Sequence, residues 1–109
     1  MLMKSLVVGP LQVNCFVIAD EKTGESMVID PGDEPDRIID VIKGNGLKVK
    51  YIICTHAHFD HVGGITELKD ETDAKIVIHQ EERELYNSAM DQAAFWGYEL
   101  APLPEPDMF

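Results

Sequence analysis

The apolar positions fall into short β-like runs separated by polar turns, with stretches of helical spacing between them. Leu2 to Val8 reads as a strand that Gly9-Pro10 ends, and Val13 to Ala19 is a second run rich in β-formers. The polar turn Asp20-Glu21-Lys22-Thr23-Gly24-Glu25 separates it from Ser26 to Ile29, so these two runs predict an antiparallel hairpin. Pro31-Gly32 stops it, and a helix follows. Asp33 is the expected N-cap, Pro35 sits in the first turn, and Asp36 suits the positive helix end. Ile38, Val41 and Ile42, with Ile39 beside them, form the apolar stripe, and Gly44-Asn45-Gly46 ends it. Leu47 to Cys54 is again a strand. Strand, helix, strand from Asp30 onward predicts a parallel crossover.

The second half of the chain repeats these alternations. Val62, Ile65 and Leu68 mark a short helix that Asp70-Glu71-Thr72-Asp73 closes, and Ile76 to Ile78 is a strand ending at His79. Glu81-Glu82 open a further helix with the stripe Leu85, Ala89, Ala93 and Trp96, stopped by Gly97. The Pro-rich tail 101–109 is neither helix nor central strand, because its prolines lack amide donors; it reads as a linker leading onward. The fold class is α/β, with mixed pairing.

Composition narrows the classes of partner. At 109 residues the chain is a single unit, and its 45% hydrophobic content suffices for a core. Nine basic against twenty acidic residues give a net charge of −11, with no Lys/Arg cluster. Such a surface disfavours nucleic acid and anionic membranes as partners. Cys15 and Cys54 each lie in an apolar run and read as small buried hydrophobes of a reducing compartment. The N-terminal apolar run is too short for a signal peptide and nothing approaches spanning length, so a cytoplasmic location is expected.

Candidate chemistry concentrates in Cys54-Thr55-His56-Ala57-His58-Phe59-Asp60-His61-Val62-Gly63-Gly64, which holds three of the four histidines. Imidazole and carboxylate together are a donor set for zinc, and also for iron or manganese. In an extended segment His56 and His58 point the same way and can reach one metal. Asp60 and His61 can then serve a second position, and Gly63-Gly64 let the backbone leave the corner. One histidine in a polar loop would be incidental. Three with an aspartate, after a buried strand, predict a metal loop. His79, alone at a strand end, reads as structural or surface-bound.

The same residues carry a family resemblance. His56-Ala57-His58-Phe59-Asp60-His61 resembles the H-x-H-x-D-H motif of the metallo-β-lactamase superfamily. With Gly9-Pro10-Leu11-Gln12-Val13-Asn14-Cys15-Phe16 and Ile29-Asp30-Pro31-Gly32, the chain is similar to the glyoxalase II-like (hydroxyacylglutathione hydrolase-like) hydrolases. The resemblance implies half of an αββα sandwich, a mixed sheet with helices packed on one face. It implies that His56 and His58 serve a first zinc, and Asp60 and His61 a second. Asp60 would also take or relay a proton, and Asp30 would support the metal loop without binding metal. The implied reaction is attack of a metal-activated hydroxide on a small-molecule thioester or ester.

Members of that family are roughly twice as long as this chain. Their second half supplies a further His, a bridging Asp and a final His. Neither Asp91 nor Asp107 follows that pattern. Residues 1–109 therefore read as an N-terminal half-domain, nearly inactive alone, that hides an apolar sheet face by self-association or against a missing second half. Two other readings stand beside the hydrolase. One is an iron oxidoreductase similar to the persulfide dioxygenases, and the other a non-catalytic metal-binding or assembly half-domain. Diiron flavoproteins fit less well, because they resemble H-x-E-x-D-H and position 58 is His.

Overall fold

The computed structural model describes residues 1–97, 100 and 102–109, the side chain of Phe59 apart. Its centre is a five-stranded sheet in the order β1-β2-β3-β4-β5. The strands are β1 (Leu2–Val8), β2 (Val13–Ala19), β3 (Glu25–Ile29), β4 (Lys48–Cys54) and β5 (Lys75–Ile78). β1, β2 and β3 pair antiparallel, whereas β3, β4 and β5 run parallel, as the crossover pattern predicts.

Alternation along the strands sorts the side chains onto two unlike faces. Val8, Val13, Cys15, Val17, Val28, Ile52, Cys54, Ile76 and Ile78 point to one side and are buried in the core. The register places Met3, Ile18, Met27 and Tyr51 in a row on the other side, with Phe16, Ile29, Ile53 and Val77 in the next row. That face is apolar too, yet Met3 and Tyr51 are exposed and the other six are only half-buried.

Helices cover the first face. α1 (Pro35–Gly44) seats Ile38 and Ile42 in the core, and α3 (Ile65–Thr72) adds Ile65 and Leu68. The expected cap of α1 is displaced by one residue. Glu34 is the N-cap, in the left-handed region at φ 49°, while the Asp33 carboxylate accepts from the Glu34 amide at 2.7 Å. Glu34 instead turns its carboxylate to the Gly9 amide (2.8 Å) and Arg37, which ties the β1–β2 turn to α1.

The expected long helix after β5 is three pieces. A 3₁₀ turn (Gln80–Glu82) leads into α4 (Arg83–Asn87), and α5 (Ala89–Phe95) follows after Ser88. The Ser88 hydroxyl donates to the Leu85 carbonyl, a local bond that competes with the helical ladder. Ala89 and Ala93 are buried as the stripe predicts, but Trp96 is 67% exposed, packing edge-on to Phe95.

The described part of the tail is docked along β5. Ile78 N–H donates to Met108 O, and Asp107 and Met108 N–H both donate to Ile76 O. The Asp107 carboxylate accepts from Ile76 N–H at 2.9 Å, Tyr86 donates to Pro104 O at 2.7 Å, and Arg83 pairs with Glu105. The start of the tail at Ala101 lies outside the described residues.

Candidate metal centre

The site forms beyond the C-terminal ends of the parallel strands β3 and β4, where an open α/β sheet leaves a crevice. Asp30 follows β3 at φ 54°, a left-handed conformation that aspartate tolerates better than most residues, and it is only 6% exposed. Its Oδ1 accepts from the Thr55 amide at 2.8 Å, and its Oδ2 accepts from the Thr55 hydroxyl at 2.5 Å. The same Oδ2 lies 3.4 Å from His61 Nδ1, a buried nitrogen with no well-formed hydrogen bond.

α2 (Phe59–Val62) presents Asp60 and His61 side by side. Backbone contact fixes its place. A Cβ on Gly32 would meet Asp60 O at 2.0 Å, and one on Gly63 would meet Gly32 O at 2.2 Å. A Cβ on Gly64 would meet Pro31 O at 2.8 Å, and the Gly64 amide donates to that carbonyl at 2.7 Å. The glycine pair thus serves close approach of two backbones. Neither member has positive φ, so an easier exit from the corner is not what these glycines provide.

Asp30, His56 and His61 come together, with one potential ligand atom from each within 4.8 Å of the others. The His56 and His61 rings are 5.5 Å apart, and His61 Nε2 is 3.8 Å from Asp60 Oδ2. Donors sharing an ion with bonds of about 2.0–2.2 Å lie at most about 4.4 Å apart, so this group would close slightly around one. The donor types present fit a divalent metal: two imidazoles and one carboxylate come together, and one of the ring nitrogens is buried without a partner. His58, extended at the start of α2, is exposed and stands outside this group. His79 is structural as expected, its Nδ1 accepting from the Glu81 amide at 3.1 Å. Asp107 is occupied in the tail, and Asp91 is exposed on α5.

Burial, and after it the charge of Asp30, pushes the Cys15 thiol up to about 12 and raises Cys54 as well. Both remain neutral thiols at neutral pH, unlike thiolate ligands. A cleft of about 70 Å³ is lined by Asp33 and Asp60 on its polar side and by Val8, Pro10, Leu11, Val13, Ala93 and Leu100 on its apolar side. Thr55, which touches both Asp30 and His56, is the residue sequence reasoning gave no role. Its adjacency to the first histidine was the available signal.

Residues 8–107 match the family model of the metallo-beta-lactamase superfamily. The chain belongs to that superfamily. Among curated relatives, the hydroxyacylglutathione hydrolase GloC of Haemophilus influenzae is 34% identical over 103 residues, covering 94% of this chain and 46% of its own. The BLEG-1 B3 metallo-beta-lactamase superposes with a TM-score of 0.87 at 26% identity, covering 99% of this chain and 52% of its own. A superfamily structure solved in a di-iron-bound form gives 0.85 at 34% identity, covering 94% and 51%. The chain spans about half the length of the curated relatives it matches. The sheet with helices on one face is half of the metallo-β-lactamase αββα sandwich, as the motifs imply. Among the described residues no helix is long and apolar enough to cross a membrane.

Proposed function

We propose that this chain forms one side of the metal centre of a glyoxalase II-like hydrolase that cleaves a small-molecule thioester or ester, with zinc as its metal. The observation that carries the reading is the convergence of His56 and His61 on a carboxylate, Asp30, whose side-chain bonds are made to the Thr55 amide and hydroxyl of the same loop. Kinship with hydroxyacylglutathione hydrolases supports the substrate class. When bound, the metal supplies Lewis acidity and an acidified water.

The chain's own residues hold and orient. As the family resemblance implies, His56 and His58 would serve one metal position, His58 turning in from its exposed place, and Asp60 and His61 the second. Asp30 orients the His61 ring, and Asp60 would take or pass a proton, as that resemblance also implies. The cleft that Asp60 lines, with its apolar wall of Val8, Val13 and Leu100, suits a short acyl group. The open sheet face, through Phe16, Ile29 and Ile53, is where a second sheet packs, from a further half of the protein or another copy.

The test is thiol release from an acyl-glutathione thioester by the zinc-loaded protein encoded by the complete native reading frame. Release that His58→Ala lowers at least about 100-fold is expected, in line with loss of a positioned metal. No release from the zinc-loaded protein sinks the hydrolase reading. The di-iron-bound relative is an instance of iron in this fold, and the alternative reading is a single-iron oxidoreductase similar to the persulfide dioxygenases. Iron in the purified protein together with oxygen consumption would select it. Residues 1–109 alone are expected to be nearly inactive, because their donors are shared over two metal positions.

A further inference from the structure

We propose that Thr55 is a positioning residue that holds His56 as its Nδ1–H tautomer, so that Nε2 keeps the lone pair that can bind metal. A count of protons leads there. The Thr55 hydroxyl has one hydrogen and lies 2.5 Å from Asp30 Oδ2, a carboxylate oxygen that can only accept. That hydrogen is therefore committed to Asp30. The same hydroxyl oxygen is 3.1 Å from His56 Nδ1. With its hydrogen spent, it can only accept from His56, and the imidazole must carry its proton on Nδ1.

Thr55 cannot easily turn away from this duty. Its amide is held by the other oxygen of the same carboxylate at 2.8 Å, and its β-branched side chain is stiff at χ1. Asp30 consequently governs two rings. It faces His61 Nδ1 directly at 3.4 Å and reaches His56 through the hydroxyl. Both ligating rings are thus tied to one carboxylate, which lies outside the H-x-H-x-D-H run. A side chain at position 55 must donate and accept at once, which serine can do and valine cannot.

The metal consequence rests on the metal-centre reading above, whereas the tautomer does not. Long-range ¹H–¹⁵N correlation spectra of metal-free protein, at about pH 8.5 where imidazoles are neutral, report which nitrogen bears the proton. His56 is expected to show a protonated Nδ1 and a bare Nε2. Thr55→Ser retains this pattern. Thr55→Val converts it to a mixture of tautomers and weakens zinc binding roughly 10- to 100-fold, the usual cost of losing an outer hydrogen-bond partner of a ligand. A wild-type His56 protonated on Nε2 overturns the proposal without any variant, as does an unchanged tautomer in Thr55→Val. Protein that binds no zinc but shows the Nδ1–H tautomer supports the proposal and sinks the metal reading instead.

Discussion

Asp30 combines a left-handed backbone, burial and three polar neighbours, so its replacement acts on several contacts together. Asp30→Ala leaves the Thr55 amide and hydroxyl without their acceptor and removes the carboxylate that faces His61 Nδ1. Unmet buried donors cost about 1–3 kcal/mol, and the freed rings lose orientation. Urea denaturation should show that loss, and zinc affinity should fall roughly 10- to 100-fold. The glycines of the metal loop make a different demand. At Gly32 and Gly63 an added Cβ would lie 2.0 and 2.2 Å from a carbonyl oxygen of the facing backbone. Each alanine substitution should therefore destabilise by about 1–3 kcal/mol or more, as overpacked sites do. Gly44, whose Cβ would meet nothing within 4 Å, is the control position and should tolerate alanine. Equal effects at Gly32 and Gly44 would contradict the close-approach explanation.

At the scale of elements, the tail and the helices show where local sequence logic ends. The strands were legible because alternation and β-formers recur with clear turns, and the parallel crossover followed from their order. The candidate metal loop stands out in the sequence because its histidines are so dense. Other features depend on partners remote in sequence. Glu34 displaces Asp33 as cap while bound to Gly9, twenty-five residues away. Ser88 breaks the last helix by bonding back to Leu85, and helical spacing alone does not register such competition. The prolines correctly excluded a regular strand in the tail, but they said nothing of Asp107 and Met108 capping the β5 edge. Likewise His56 and His58 share a direction in an ideal extended segment, yet the chain turns into α2 at once and His58 stays apart from the His56–His61 group.

The tail makes its own predictions. Tyr86→Phe removes the bond to Pro104 O and should cost about 0.5–1.5 kcal/mol. The amide of Ile76, and after it Lys69, holds the Asp107 carboxyl below its usual range. A lowered carboxylate contributes stability above its ordinary value near 3.9, and the contribution is lost as pH falls through the lower folded value. Acid should therefore loosen the tail. Hydrogen exchange at the Ile78 amide, which donates to Met108 O, should lose protection between about pH 5 and pH 2. Asp107→Asn should abolish most of that pH dependence.

Over the whole molecule, one sheet face is sealed by helices while the other carries Phe16, Ile18, Met27, Ile29, Ile53 and Val77 half-exposed. Apolar rows of this kind are uncommon on monomer surfaces and favour association. Light scattering after size exclusion, at micromolar concentration, should find residues 1–109 larger than a 12.2 kDa monomer. Ile29→Lys with Ile53→Lys should shift the population towards monomer. A well-behaved wild-type monomer would contradict the covered-face reading. The net charge of −11 also matters at this scale, because it attracts divalent cations without any specific site. Metal binding must therefore be judged by its dependence on individual side chains and its resistance to salt.

The most direct test is zinc titration by calorimetry at about 0.15 M salt, where diffuse attraction is screened, on the wild type and on His56→Ala, His61→Ala and His79→Ala. Saturable binding that survives His79→Ala but falls at least roughly tenfold in each of the other two variants is predicted, since His56 and His61 join Asp30 at the centre whereas His79 lies outside that group. Binding that is unsaturable, or equal in all four proteins, would contradict a metal centre at this loop.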